Sequence, residues 1–173
     1  FAVDQGFKSN GSRKIRSVDD ETQNGLTGAT AVSEKLHTQG VDMLFETAKR
    51  FVKASGIVPK FWKGDIADAY RRIIIRQSDE WAAWVVFMHK GVVYASCHYS
   101  LMFGAKSAVH GWNRLGECLA HLSRSKLWLA VLRFVDDYFG VERPDSAQHA
   151  AQCFERFVSL LLGEGAVAAH KTE

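Results

Sequence analysis

Residues 132–140 read Leu-Arg-Phe-Val-Asp-Asp-Tyr-Phe-Gly, an apolar run broken at its centre by two adjacent carboxylates, Asp136 and Asp137. The β-branched and aromatic residues on both sides predict two strands, 127–135 and 138–141, with Asp136-Asp137 as their turn. Two charges in such a frame need compensation, because a desolvated carboxylate costs several kcal/mol unless it is paired or metal-bound. Taken alone, an acidic pair marks an exposed turn more often than a site. The neighbours Phe134, Val135, Tyr138 and Phe139 carry no positive charge. Compensation therefore falls to a distant Lys or Arg, to bulk water, or to a divalent cation.

A second acidic position favours the cation. Asp65 ends the predicted strand 59–66, and Asp68 lies in the turn DIADAYRR that follows. If the two strands are neighbours, Asp65 and Asp136 converge. Hard oxygen ligands of this kind suit Mg²⁺ or Mn²⁺, and two such ions about 3.5–4 Å apart activate a hydroxyl nucleophile and stabilise a leaving group in an in-line displacement.

Around these segments the pattern predicts a loop or flap over residues 1–30, which are polar and rich in Gly, Ser, Thr and Asn. Val41, Leu44, Phe45, Ala48, Phe51 and Val52 recur at helical spacing within 31–55, and Gly56 ends that helix. A hairpin is expected from 82–88 and 92–98 with His89, Lys90 and Gly91 turning, then a helix over 104–122. A last helix starts near Asp145 or Ser146, buries Ala147, Ala150, Ala151, Phe154, Phe157, Val158 and Leu161, and stops at Gly163; residues 166–169 add a final strand. The order lacks a regular βαβ rhythm. It predicts an α+β fold: an antiparallel sheet with helices packed on one face.

Composition sets the outer bounds. At 173 residues with 47% apolar content, one compact domain with a core is the default. The net charge of +3 does not by itself announce a nucleic-acid binder, so any polyanion site must be local, at Arg13, Lys14 and Arg16 or at Arg71, Arg72 and Arg76. Cys97, Cys118 and Cys153 share no CxxC spacing and are odd in number, which predicts neither a disulfide framework nor a zinc site and points to a reducing, intracellular compartment. No apolar run approaches the ~20 residues of a membrane span, so no membrane partner is expected. Phe at position 1 suggests a piece of a longer protein. Trp81, Trp84, Trp112 and Trp128 read as core ahead of the alternative, a stacking surface.

Five segments, in order and spacing, resemble the reverse transcriptases. Phe134-Val135-Asp136-Asp137 is similar to their aromatic-x-Asp-Asp hairpin, and Asp65-Ile66-Ala67-Asp68-Ala69-Tyr70 with Ile73 to their first catalytic strand and turn. Ser100-Leu101-Met102-Phe103-Gly104 resembles the element that contacts template and incoming nucleotide. Lys14-Ile15-Arg16-Ser17-Val18-Asp19-Asp20 resembles the fingers segment that holds the triphosphate, and 161–171 the helix, Gly and Lys stretch after the hairpin. The resemblance implies a polymerase palm (57–173) with a partial fingers segment and helix (1–56) and no thumb. It implies two Mg²⁺ or Mn²⁺ ions held by Asp65, Asp136, Asp137 and the Ile66 carbonyl, with Asp65, Asp136 and Asp137 catalytic. Lys14, Arg16, Ile66, Tyr70, Phe103, Gly104 and Lys171 are the implied substrate contacts. Tyr70 stands where the family keeps an aromatic ring that excludes a ribose 2′-hydroxyl, Lys14 and Arg16 where it grips the triphosphate, and Lys171 beside the leaving pyrophosphate. The implied partners are a deoxynucleoside triphosphate and an RNA or DNA template with its primer. GWNRL (111–115) and KIRSVDD are similar to segments of retrotransposons that carry a tyrosine recombinase.

Ile74, Met102 and Ala108-Val109 depart from prolines in the family pattern, at positions that set backbone shape rather than chemistry. Two rival functions follow. An RNA-dependent RNA polymerase shares the palm but usually has an aspartate where Tyr70 stands and a glycine where Val135 stands. A non-catalytic, retroelement-derived nucleic-acid-binding or scaffold module would have no use for the clustered carboxylates.

Overall fold

The structure, a computed structural model, describes residues 2–7, 10–17, 22 and 25–168. In chain order its elements are β1 (Ala2–Phe7), β2 (Arg13–Ser17), α1 (Leu26–Ala29), α2 (Val41–Ser55), β3 (Lys60–Asp65), β4 (Trp84–His89), β5 (Val92–Cys97), α3 (Lys106–Lys126), β6 (Val131–Phe134), β7 (Asp137–Glu142) and α4 (Ala147–Leu162). Short 3₁₀ turns occupy Ala69–Arg72 and Gln77–Ala82. Every strand pair is antiparallel, as an α+β fold requires. The chain forms two compact units, residues 1–34 with 70–111 and residues 35–69 with 112–173.

In the first unit, β1 and β2 pair where the sequence pattern predicts only loop. Asn10 and Gly11 turn the chain: the Asn10 side-chain oxygen accepts the Ser12 N–H at 3.1 Å, and Gly11 sits at φ 77°. Residues 3–7 are exposed throughout, so no apolar alternation marks the strand. β4 and β5 form the expected hairpin, turning on Lys90 and Gly91 alone. Both have positive φ, 50° and 77°, the requirement of a tight two-residue turn whose twist matches the strands. Ile74 makes an isolated antiparallel bridge to Ser100. Ile74 is 82% exposed, whereas Met102 is buried.

The second unit is built on a three-stranded sheet in the order β3-β7-β6. Alternation along the strands assigns its two faces. Trp62, Gly64, Arg133, Tyr138 and Gly140 share one face, and Phe61, Lys63, Asp65, Phe134, Asp137 and Phe139 the other. α4 packs on β3 and β7. Its fully buried Phe154 meets Trp62 at 5.3 Å and Tyr138 at 4.9 Å between ring centroids. Gly64 makes room for this, since a Cβ there would stand 3.0 Å from the Phe154 ring. Tyr138 reaches past Phe154 and donates its hydroxyl to the Gly116 carbonyl of α3 at 2.9 Å. Trp112, Leu119, Val131, Val141 and Val158 complete the core, each nearly free of solvent.

α2 begins at Val41, ten residues later than the pattern predicts. Gln39 explains the late start: its N–H donates to the Arg133 carbonyl at 3.0 Å, and its side-chain oxygen accepts the Arg133 N–H at 2.9 Å. The segment before the helix thus covers the outer edge of β6, which would otherwise present unpaired backbone. Gly56, at φ 70°, closes α2 by donating its N–H to Val52. Of the four tryptophans predicted for the core, only Trp112 is buried; Trp81, Trp84 and Trp128 are 78%, 56% and 88% exposed. Trp81 lies in the Gln77–Ala82 3₁₀ turn, Trp84 in the two-stranded β4–β5 hairpin and Trp128 in the loop between α3 and β6.

Candidate active site

β3 ends at Asp65, and its register with β7 sets Asp65 directly opposite Asp137. Such a cross-strand pair holds its Cβ atoms about 4.5–5.5 Å apart on one face of the sheet. One residue further on, the Ile66 N–H donates to the Asp136 carbonyl at 3.1 Å. A third segment secures the same end: Ala67 donates to the Ala166 carbonyl at 2.9 Å, and Ala168 donates to the Asp65 carbonyl at 3.0 Å. Asp65, Ile66, Asp136 and Asp137 therefore meet at one end of the sheet. Asp65 is buried, whereas Asp136 and Asp137 are half-buried.

The turn itself is Val135-Asp136. Phe134 pairs with Asp137, so Asp137 is the first residue of β7 rather than part of the turn. Pairing with β3 through Asp65 extends β7 by that one residue. Val135 is left at φ 55°, a left-handed conformation that a β-branched side chain rarely adopts. Strain of this kind costs about 1–3 kcal/mol and persists only where the surroundings enforce it. Here two side chains donate to the Val135 carbonyl: Trp112 through Nε1 at 2.9 Å and Arg133 through a guanidinium nitrogen at 2.8 Å. Arg133 is 1% exposed and also bonds the Asn113 side chain and stands 3.6 Å from Glu117.

Like charges facing each other weaken a strand pair. Lys63 offsets this one, with its Nζ 3.0 Å from the Asp137 carboxylate. Both partners are substantially exposed, so the pair contributes at most about 1 kcal/mol. Lys63 and Arg133 are thus cations near the acidic pair that motif reading passes over. A period-two count along β3 places Lys63 on the Asp65 face, and the single charge in Val131–Phe134 marks Arg133. Behind the sheet, burial pushes the Tyr138 hydroxyl well above its ordinary ionisation range, with Arg133 opposing and Glu117 and Asp136 reinforcing the shift.

Among the described residues, no group of three or more His, Cys, Asp or Glu side chains could hold a metal ion. The Asp137 carboxylate is paired with Lys63. The remaining donors, Asp65, Asp136 and the Ile66 carbonyl, are hard oxygens. They fit Mg²⁺, which keeps several waters and is held by one or two carboxylates plus substrate phosphates rather than by an all-protein cage. Beside Asp137, the same face opens into a groove of about 450 Å³ lined by Val41, Leu44, Phe61, Lys63, Phe134 and Phe139, among others.

Lys14, Arg16, Tyr70, Phe103 and Gly104 belong to the first unit. Lys14 is exposed on β2; Arg16 lies on the same strand, opposite Val3, and its side chain is outside the described residues. Tyr70 is the second residue of the Ala69–Arg72 3₁₀ turn and packs its ring against Phe103, with centroids 5.8 Å apart. Gly104 has φ 109°, a conformation that side chains resist. Lys171 lies outside the described residues. Cys97, Cys118 and Cys153 are free thiols, and no described helix is long and apolar enough to cross a membrane.

No known protein family and no curated protein matches the chain by sequence. Solved structures do match. The chain is similar to the native prototype foamy virus protease-reverse transcriptase, with a TM-score of 0.58 and 17% identity over 99% of this chain and 22% of that one. It is also similar to apo telomerase from Candida tropicalis truncated from its C-terminal domain, with a TM-score of 0.48 and 11% identity over 79% of this chain and 35% of that one. The chain thus spans about a fifth and a third of these two proteins. At 17% identity the likeness to the foamy virus protein is one of fold alone: this chain has an α+β fold shared with about a fifth of that protein.

Proposed function

We propose that this chain is the palm, with part of the fingers, of a retroelement reverse transcriptase, catalysing template-directed DNA synthesis. In the reaction a primer 3′-hydroxyl attacks the α-phosphate of a deoxynucleoside triphosphate, and pyrophosphate leaves. The observation that carries this reading is the register that brings Asp65 against Asp136 and Asp137 at the end of an enforced, strained turn. Asp65, Asp136 and the Ile66 carbonyl would hold two Mg²⁺ or Mn²⁺ ions, with Asp137 assisting. Bound there, the ions lower the pKa of the attacking hydroxyl and neutralise the charge that develops on the phosphate.

The rest of the task is positioning. Lys14 and Arg16 would pair with the triphosphate, Phe103 and Gly104 would border the nucleotide, and Lys171 would neutralise the leaving pyrophosphate. Tyr70, in place of an aspartate, favours a deoxyribose. The partners would be an RNA or DNA template, its primer and the triphosphate.

The rival reading, a non-catalytic nucleic-acid-binding module, draws on one observation: Lys63 already neutralises Asp137. Single-nucleotide primer extension with Mn²⁺ separates the two. The expected result is activity with deoxynucleotides that Asp136→Asn lowers by at least about 10³-fold. Equal activity in both proteins, or none in either, overturns the catalytic reading, and a preference for ribonucleotides moves it to an RNA polymerase.

A further inference from the structure

A guanidinium in a protein interior is costly unless its donors are satisfied and its charge is answered. Arg133, among the largest fully buried side chains of the structure, lies directly behind the acidic turn. Its backbone is tied on both sides to Gln39, with its carbonyl accepting at 3.0 Å and its N–H donating at 2.9 Å. Its Nε is buried without a hydrogen bond among the described residues, one terminal guanidinium nitrogen bonds Asn113 and stands 3.6 Å from the Glu117 carboxylate, and the other terminal nitrogen donates to the Val135 carbonyl at 2.8 Å. α3 is shaped to admit the side chain: a Cβ on Gly116 would sit 3.0 Å from the same guanidinium nitrogen and 3.1 Å from the Tyr138 hydroxyl. The Trp112 indole donates to the same Val135 carbonyl from one turn of α3 earlier, at 2.9 Å.

Two donors from two elements thus converge on the carbonyl of the one strained residue in the turn. That carbonyl belongs to the peptide unit that leads into Asp136. Its orientation sets the direction in which the Asp136 side chain leaves the backbone, and Val135 would not hold φ 55° without such a restraint. A buried apolar side chain of similar volume would stabilise the fold at least as well as a buried cation, so packing alone does not call for arginine here.

We propose that Arg133, together with Trp112, is a positioning residue: it clamps the Val135 carbonyl from behind the sheet and thereby aims Asp136 at its metal and the reacting phosphate. The inference rests on the polymerase reading. Its effect is on the geometry of the reacting centre and not on substrate binding, and displacements of that centre of about 1 Å cost up to about 10²-fold in rate.

The test compares wild type with Arg133→Lys, Arg133→Met and Trp112→Phe. Single-turnover nucleotide addition and Mn²⁺ affinity, read from the EPR signal of free Mn²⁺ without nucleotide, are both measured. Thermal melting reports which variants fold. The expected result is a fall in kcat of about tenfold or more in both Arg133 variants, with KM for the deoxynucleotide within about twofold of wild type, and weaker Mn²⁺ binding. Trp112→Phe falls less. If an Arg133 variant does not fold, Trp112→Phe, which keeps the ring and loses only the N–H, decides the matter. Variants that keep kcat and Mn²⁺ affinity within about twofold of an active wild type overturn the positioning role and leave the polymerase reading intact. An inactive wild type overturns the polymerase reading and the role of Arg133 with it.

Discussion

Asp65 and Asp137 face each other across two strands, and Lys63 on the same face offsets the charge of Asp137. Because the Lys63 pair is substantially exposed, Lys63→Met is expected to lower unfolding free energy by no more than about 1 kcal/mol in urea titration. A loss above about 2 kcal/mol would show that Lys63 compensates Asp65 as well. Tyr138 behaves in the opposite manner, as a buried group that resists charging. Its ionisation is raised in the folded protein and ordinary, near pH 10, in the unfolded chain. Its contribution to stability is therefore complete below about pH 10 and is lost as the pH rises beyond that, where the unfolded chain releases the proton first. Alkaline unfolding should begin at lower pH in wild type than the acid-side stabilities of the two proteins predict from Tyr138→Phe, which has no proton to release. At neutral pH the same substitution should cost about 1 kcal/mol, the hydrogen bond to Gly116.

The acidic hairpin of β6 and β7 is held as a unit because the elements around it leave space for one another. Gly140, opposite Trp62, is the clearest case: a Cβ there would stand 2.6 Å from the Trp62 ring and 2.6 Å from the Ala130 carbonyl oxygen. The ring is packed on Phe154 and the carbonyl is backbone, so neither yields easily. Gly140→Ala is expected to destabilise by about 1–3 kcal/mol, measured by thermal or urea unfolding, and a neutral result would mean that β7 shifts away from Ala130. The hairpin was legible in the sequence because its apolar residues alternate around two charges. Its turn was misplaced by one residue, since pairing between β3 and β7, and not the local pattern, decides where β7 begins. The hairpin of β1 and β2 was not legible at all, because β1, exposed over residues 3–7, carries no apolar period.

Each compact unit joins two stretches that are distant in sequence: residues 35–69 close on 112–173, and residues 1–34 close on 70–111. That interleaving brings Asp65 to Asp136 and Asp137, more than 70 positions apart, while Tyr70, Phe103 and Gly104 gather in the other unit. With a net charge of only +3, binding to a primer–template duplex should rest on a few local cations. The logarithm of its affinity is expected to fall linearly with the logarithm of salt concentration, and Lys14→Ala to reduce that slope by about 1. An unchanged slope would remove Lys14 from the phosphate contacts.

Residue chemistry was readable from the chain alone: the acidic residues, the apolar strands that frame them, the helices with their glycine stops, and the antiparallel α+β class. These are properties of short segments, set by side-chain period and backbone preference. The strained Val135, the clamp of Arg133 and Trp112 on its carbonyl, and the Lys63 partner of Asp137 emerged only from the folded structure. Each depends on register between strands or on packing between a helix and a sheet. A shift of one residue in that register would send strand side chains such as Lys63 and Arg133 to the other face.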